Sequence, residues 1–473
     1  MFTILFIKMV GENRVSKKGS SLLLNKFCIF VKQIMMKTTI ANHLKSNMEI
    51  IDRKISPKIY DIQDFILTEP KNITLSNNVN AFVFSSENHE VVKIELIFKA
   101  GSKYHKNFRL PLLANKLLTE GTTNFSSEEI ADKIEFYGAS LQTNISNDFA
   151  FVSLTTLSKY LEQTLPILAE IVNNSAFHQK EIDLFLSKKT QELSINSQRV
   201  DFTVRNIFPS LIYGNEHPYG RPQIIEDFQK IVREDLIEFY NEFYRNNKFQ
   251  IIISGSKING LELLLENNFG KMANRNESIY QAMECRPAKE KKQAIMFPEA
   301  VQNAVRIGRP WVGRKHKDFA KLTFLNTLLG GYFGSRLMMN IREDKGFTYG
   351  IGSGISTMED SSFMFISSEV KTENTKEAVK EIYKELQKLK NTKISEDELN
   401  LVKTVIQGSI QRGFDGPFAT ADRFKEITLS GLNMKYYTNF INEIKTTTAM
   451  DLMALSKKYF VFDAFYELIV GKY

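Results

Sequence analysis

The sequence predicts an α+β protein built from two duplicated domains, each a mainly antiparallel sheet with helices packed on one face. Two observations carry that prediction. The same order of strand and helix patterns occurs twice, and landmarks within each copy stand at similar spacing. In the first copy, residues 91–98 (VVKIELIF) form a β-branched, strand-like run closed by Gly101. Apolar spacing then places a helix from Leu110 to Leu118 and a second from Glu128 to Phe136. After Tyr137-Gly138 come strands around Leu141–Ile145 and Phe149–Leu157, and a long helix from Leu161 to Val172. The copy closes on the segment 177–193, FHQKEIDLFLSKKTQEL.

The second copy follows suit. A strand near Ala304–Ile307 precedes a helix from Phe319 to Leu329 and a short helix from Arg336 to Arg342. Tyr349-Gly350 stands where Tyr137-Gly138 stood. Strands near Gly350–Thr357 and Phe363–Val370 lead into a helix from Thr375 to Leu389, and residues 394–410, ISEDELNLVKTVIQGSI, answer 177–193. From the tyrosine to the matching glutamate the separation is 44 residues in one copy (Tyr137 to Glu181) and 49 in the other (Tyr349 to Glu398). The join lies in charged, aperiodic sequence that contains Pro287. The expected organisation is therefore a head at 1–50, a first domain at 51–272, a linker at 273–300 and a second domain at 301–473.

At 473 residues the chain can bury a core in each half, and 43% hydrophobic with 25% charged residues is ordinary for a soluble globular protein. The net charge of +8 belongs to the head. Residues 1–47 hold eight basic side chains and one acid, so the body is close to neutral and neither nucleic acid nor an anionic membrane is called for. The apolar stretch FTILFI precedes Lys8 and SLLLNKFCIFV is broken by Lys26, the reverse of a signal peptide. A surface helix, an amphipathic anchor, or translation from Met36 or Met48 remain as readings of the head, and the expectation is that it lies outside the working fold. Cys28 and Cys285 imply no disulfide framework. No apolar run reaches the ~18–20 residues that span a bilayer. A cytoplasmic location is expected, with the periplasm open.

Residues 330–354 read GGYFGSRLMMNIREDKGFTYGIGSG. This run resembles a stretch of the insulinase/pitrilysin family of zinc peptidases, and REDLIEFYNEFYRNNKFQIIISG (233–255) resembles the end of that family's first domain. The layout is similar from about residue 70 to 470. The resemblance implies that Arg342 and Tyr349 bind substrate. A guanidinium and a phenol can both donate to a peptide carbonyl and to the oxyanion formed when water attacks it.

In active members an H-x-x-E-H helix supplies two zinc ligands and the base. Counting back from Glu120-Gly121-Thr122, its positions fall on Leu112, Asn115 and Lys116. Leucine cannot ligate, asparagine is no general base, and lysine is a cation where a cation must bind. The family's third ligand maps to Glu192, with Gln191 as the alternative, and one carboxylate is no site. The six histidines do not pair at helical or hairpin spacing, and His217 lies in HPYGRP, which resembles a structural loop of the family. There is no G-x-S-x-G, and Cys285 has no local histidine.

The resemblance therefore implies a non-catalytic subunit of a heteromeric zinc metalloendopeptidase. It would hold no metal or other cofactor of its own, bind peptide, and pair with a zinc-bearing paralogue. Such two-chain peptidases occur in bacteria, and the Lys/Asn/Ile-rich composition suits a bacterial source. The alternative is a structural or docking subunit with no part in proteolysis. The strand 140–145 (SLQTNI) corresponds to the family's peptide-binding sheet edge, with Gln142-Thr143 where Asn-Ala is usual.

Overall fold

A computed structural model describes residues 67–273, 280 and 282–472. The expectations for the head and for residues 51–66 lie outside the described residues. Two sheets organise the rest. The first has six strands in the order β1-β2-β6-β3-β5-β4, where β1 is Lys71–Thr74, β2 Asn80–Ser86, β3 Val91–Phe98, β4 Ser140–Ile145, β5 Ala150–Leu157 and β6 Phe249–Ser256. The second has five, β7-β11-β8-β10-β9: β7 Lys292–Met296, β8 Gln302–Pro310, β9 Thr348–Thr357, β10 Ser362–Lys371 and β11 Tyr466–Gly471. Each sheet is antiparallel except for one parallel pair, β2 with β6 and β7 with β11. Removing β1 leaves two sheets with the same strand order and the same parallel pair. The duplication read from the sequence is thus a duplication of topology. Strands β4 and β9 occupy equivalent free edges.

Each half packs its own helices on one face of its sheet. In the first, these include α1 (Leu110–Leu117), α2 (Ser127–Phe136) and α3 (Leu161–Asn174), whose apolar faces close over Ile94, Leu96, Val152 and Ile253. Helix α2 begins with a capping box, Ser126 and Glu129 satisfying each other's backbone N–H groups. Two further helices of the first half, α4 (Gln179–Asn196) and α5 (Val200–Tyr213), follow. In the second half, α6 (Phe319–Asn326), α7 (Thr375–Asn391) and α8 (Glu396–Arg412) cover Val305, Ile307 and Ile366.

The other face of each sheet is covered from across the molecule. Helix α5 belongs to the first half, yet its Val204, Phe208, Leu211 and Ile212 pack on Ala304, Phe363, Leu468 and Val470 of the second sheet. Helix α9 (Gly416–Thr428) belongs to the second half and does the converse. Its Ala421, Phe424 and Ile427 pack on Phe84, Ile97 and Ile252 of the first sheet. The Phe424 ring lies 4.9 Å from that of Phe82 and 5.3 Å from that of Phe84.

Two local readings need correction. The segment after Arg336 is π-helical over Met338–Asp344, so Arg342 lies inside it and does not close it. The two Tyr-Gly pairs are also not equivalent. Gly138 (φ 60°) and Gly346 (φ 64°) are the left-handed residues that end the two helical segments, each two residues before a strand. Tyr137 therefore caps a helix, whereas Tyr349 already sits on β9.

Candidate functional site

Helix α1 presents the three positions where the zinc motif was sought. Leu112 is half-buried on the wall of a cavity between the halves. Asn115 is fully buried, and its amide donates to the Tyr244 hydroxyl at 3.1 Å. Lys116 reaches the edge strand, where its ammonium donates to the backbone carbonyl of Thr143. Glu192 lies on α4, and both of its oxygens accept from Lys189 Nζ at 3.0 Å. Burial, and then the charge of Lys189, holds the Lys116 pKa below the usual lysine range. The fold thus brings Lys116, Lys189 and Glu192 into one neighbourhood. It offers there an apolar side chain, a committed amide and two ammonium groups. These residues do not fit a zinc ion, which requires unprotonated donors from about three protein ligands in a catalytic site.

Arg342 and Tyr349 stand at the free edge of the second sheet. The Arg342 guanidinium lies over the Phe333 ring at 4.6 Å. Its Nη1 is 3.1 Å from Glu343 Oε1, but without hydrogen-bond geometry, and so that nitrogen has no hydrogen-bond partner. Tyr349 is 90% exposed. A bulge explains that exposure. Thr348 pairs with Val370 and Ile351 with Ser368, so Tyr349 and Gly350 together oppose Glu369 alone. One extra residue in a strand breaks the ladder and re-aims a side chain. The Thr348 hydroxyl pins the bulge through the Gly350 carbonyl at 2.9 Å and the Glu369 carbonyl at 2.6 Å. Phe333 (65% exposed) and Met339 (45%) extend the same half of the chain with uncovered apolar surface.

The two halves meet at the far end of β9. Lys103, with a side chain only 2% exposed, places Nζ 3.0 Å from Asp148, 2.7 Å from Glu359 and 2.8 Å from Asp360. Burial opposes its charge, but hydrogen bonds to Asp360 and Glu359 and the field of Asp148 win, and its pKa lies above the ordinary lysine value. The Tyr219 hydroxyl donates to Asp148 at 2.6 Å, so the HPYGRP loop joins the same cluster. The three carboxylates could hold a metal by spacing, their oxygens lying within 4.8 Å of one another. The ammonium already sits among them. From Tyr349 to Thr357 the strand runs eight residues, about 26 Å, before the turn that carries Glu359 and Asp360. The exposed pair is therefore remote from the Lys103 cluster.

Sequence reasoning missed Lys103, Asp148 and the bulge. No local pattern marks them, because the partners of Lys103 lie 45 and about 256 residues away in the chain.

Residues 82–217 match the description "Insulinase (Peptidase family M16)", and residues 230–406 match "Peptidase M16 inactive domain". The chain belongs to the insulinase family, M16. Relatives within the family carry contrasting names. An "Uncharacterized zinc protease YmxG" of Bacillus subtilis is 22% identical over 346 residues, 73% of this chain and 84% of that protein. A "Non-peptidase homolog YmxG" of Helicobacter pylori is 25% identical over 322 residues, 65% of this chain and 73% of that protein. Among solved structures, a peptidase M16 inactive domain from Pseudomonas fluorescens superposes with a TM-score of 0.76 at 21% identity, covering 85% of this chain and 98% of that one. The periplasmic protease PqqL from Escherichia coli gives a TM-score of 0.70 at 14% identity and covers 89% of this chain but 49% of its own. This M16 chain is thus of the inactive-domain type, and its fold corresponds in extent to about half of a longer protease. No helix among the described residues is long and apolar enough to cross a membrane.

Proposed function

We propose that this chain is the non-catalytic subunit of a two-chain M16 metalloendopeptidase, in which a zinc-bearing paralogue supplies metal, water and base. One observation carries the reading. The positions that would build a zinc site hold Leu112, Asn115 and Lys116, while Arg342 and Tyr349 are kept and displayed at a free sheet edge, at the other end of β9 from the Lys103 cluster. Among the described residues nothing covers the tyrosine that the bulge holds 90% exposed on a free sheet edge. Facing a partner, that phenol and the Arg342 guanidinium supply two donors to a peptide carbonyl. The donors matter most when the carbonyl oxygen becomes an oxyanion, because charge develops there in the transition state. The half-length match to a single-chain protease supports a second half of the same size. The same reading assigns zinc to the partner and peptide to the enclosed space, with the pair in the cytoplasm.

The test is to purify the chain with an H-x-x-E-H paralogue and measure peptide hydrolysis. The chain alone is expected to cut nothing. In the pair, Arg342→Ala and Tyr349→Phe are each expected to lower kcat/KM by about 100-fold. Unchanged activity in both variants would leave the chain a docking subunit.

A further inference from the structure

The cavity between the halves, about 630 Å³, is lined by a buried cation, Arg109, whose nearby carboxylate, Asp227, is already paired with Arg221. Its walls include Phe108, Arg109, Leu112, Phe149 and Leu429, together with Arg314 and the acids Asp148, Glu359 and Glu426. Arg109 is 8% exposed, and its Nε is buried with no hydrogen-bond partner. Its Nη2 donates to the Arg221 carbonyl at 2.9 Å, which neutralises no charge. Among the described residues no carboxylate forms an ion pair with it.

The acids that might do so are engaged. Asp227 is held by Arg221 through two hydrogen bonds, at 2.9 and 2.7 Å. Asp148 and Glu359 hold Lys103. Glu426 holds Arg314 and Arg423. Burial pulls the Arg109 pKa down to about 10, against the attraction of Asp227, so the group remains a cation at neutral pH. The first turn of α1, which follows Arg109 directly, contains no acidic residue, so its helix dipole adds positive potential at the same wall. Two guanidinium groups sharing one carboxylate leave a buried excess of positive charge, which is costly, and a cavity is where a further counter-ion can arrive.

We propose that this cavity is a carboxylate-binding site in which Arg109 takes the acidic end of a peptide, with the neighbouring side chain seated on Phe108, Phe149 and Leu429. The volume exceeds what an inorganic anion fills and falls in the range of organic-ligand pockets. The aromatic lining calls for an apolar group beside the charge. Two sources share that chemistry: a terminal carboxylate, and an Asp or Glu side chain.

The experiment is calorimetry on the full chain without any partner, so it can fail independently of the half-site reading. The probes are acetyl-Phe-Leu as free acid, the same peptide as its amide, and acetyl-Phe-Asp amide. The free acid or the aspartyl peptide is expected to bind at least about tenfold tighter than acetyl-Phe-Leu amide, and which of them does so identifies the source. Arg109→Gln is expected to abolish the preference and Arg109→Lys to retain part of it. Because a buried arginine variant can misfold, thermal melting of the unaltered protein provides a second reading: the preferred probe raises Tm and the amide does not. Equal binding of all three, binding of none at millimolar concentration, or a preference that survives Arg109→Gln in a folded variant would overturn the proposal.

Discussion

Asn115 is a polar side chain held in the core of the first half by a single partner. Its amide points at the Tyr244 hydroxyl in a region where both side chains are buried, and the phenol pKa is raised by that burial. The hydrogen bond makes the polar residue tolerable in the core, but only as a pair. Asn115→Leu leaves the phenol without its partner and is expected to cost about 1–3 kcal/mol. Adding Tyr244→Phe removes the orphaned group, so the double variant is expected to recover most of that loss. Urea unfolding of the wild type, both single variants and the double variant checks this. Strictly additive losses would mean the pair is not coupled. Lys116, one residue on, solves a related problem differently. It extends past the core to the Thr143 carbonyl, so its ammonium secures the sheet edge.

At the scale of elements, the hairpin between β9 and β10 is tied to the first half through Lys103. This cation neutralises three clustered carboxylates, so removing it does more than delete one contact. Lys103→Met leaves Asp148, Glu359 and Asp360 facing one another around an apolar group. The expected loss is toward the lower end of about 3–5 kcal/mol, since Asp360 is half exposed and water relieves part of the repulsion. The pH dependence has a definite sign. The folded-state pKa of Lys103 is raised, so its contribution is fully present below the unfolded value of about 10.4 and is lost as pH rises through the folded value. The stability gap between wild type and variant should therefore stay constant from neutral pH to about pH 10 and narrow above it. A gap already closing below pH 9 would contradict the assignment. This cluster also shows where sequence reading stops. The helices of α1 and α2 and the strands β3, β4 and β5 were legible because periodicity and caps are local properties. The positions Leu112, Asn115 and Lys116 came from the family resemblance, by counting back from Glu120-Gly121-Thr122, and not from periodicity. The bulge at Tyr349 and the partners of Lys103 depend on which distant strand lies opposite, and neither periodicity nor composition encodes that.

At the scale of the molecule, the exchange of helices decides how the two halves depend on each other. Each sheet needs cover on both faces, because strands such as β6 and β8 are buried on both sides and a bare face would expose Ile252 or Ala304 to water. Amphipathic α5 and α9 provide that cover, but each across the join. The apolar stripe of a helix reads the same whichever sheet it meets, so the exchange was invisible in the sequence. Its consequence is mutual. Residues 67–283 alone would present Phe84, Ile97 and Ile252 uncovered, and α5 would have no sheet to cover. Residues 284–473 alone would expose Leu468, Val470 and the apolar face of α9. Each buried aliphatic or aromatic side chain left open loses roughly 1.5–3 kcal/mol, and several together exceed the 5–15 kcal/mol stability of a typical domain. Either fragment expressed alone is therefore expected to be insoluble or molten, with no sharp thermal transition. Expressed together, the two are expected to copurify and melt cooperatively, because each restores the face the other lacks. Phe424→Ala, expected to cost about 3–5 kcal/mol in the intact chain, should also weaken this complementation. Two fragments that fold independently and do not associate would show that the exchanged helices are attached to the halves without being needed by them.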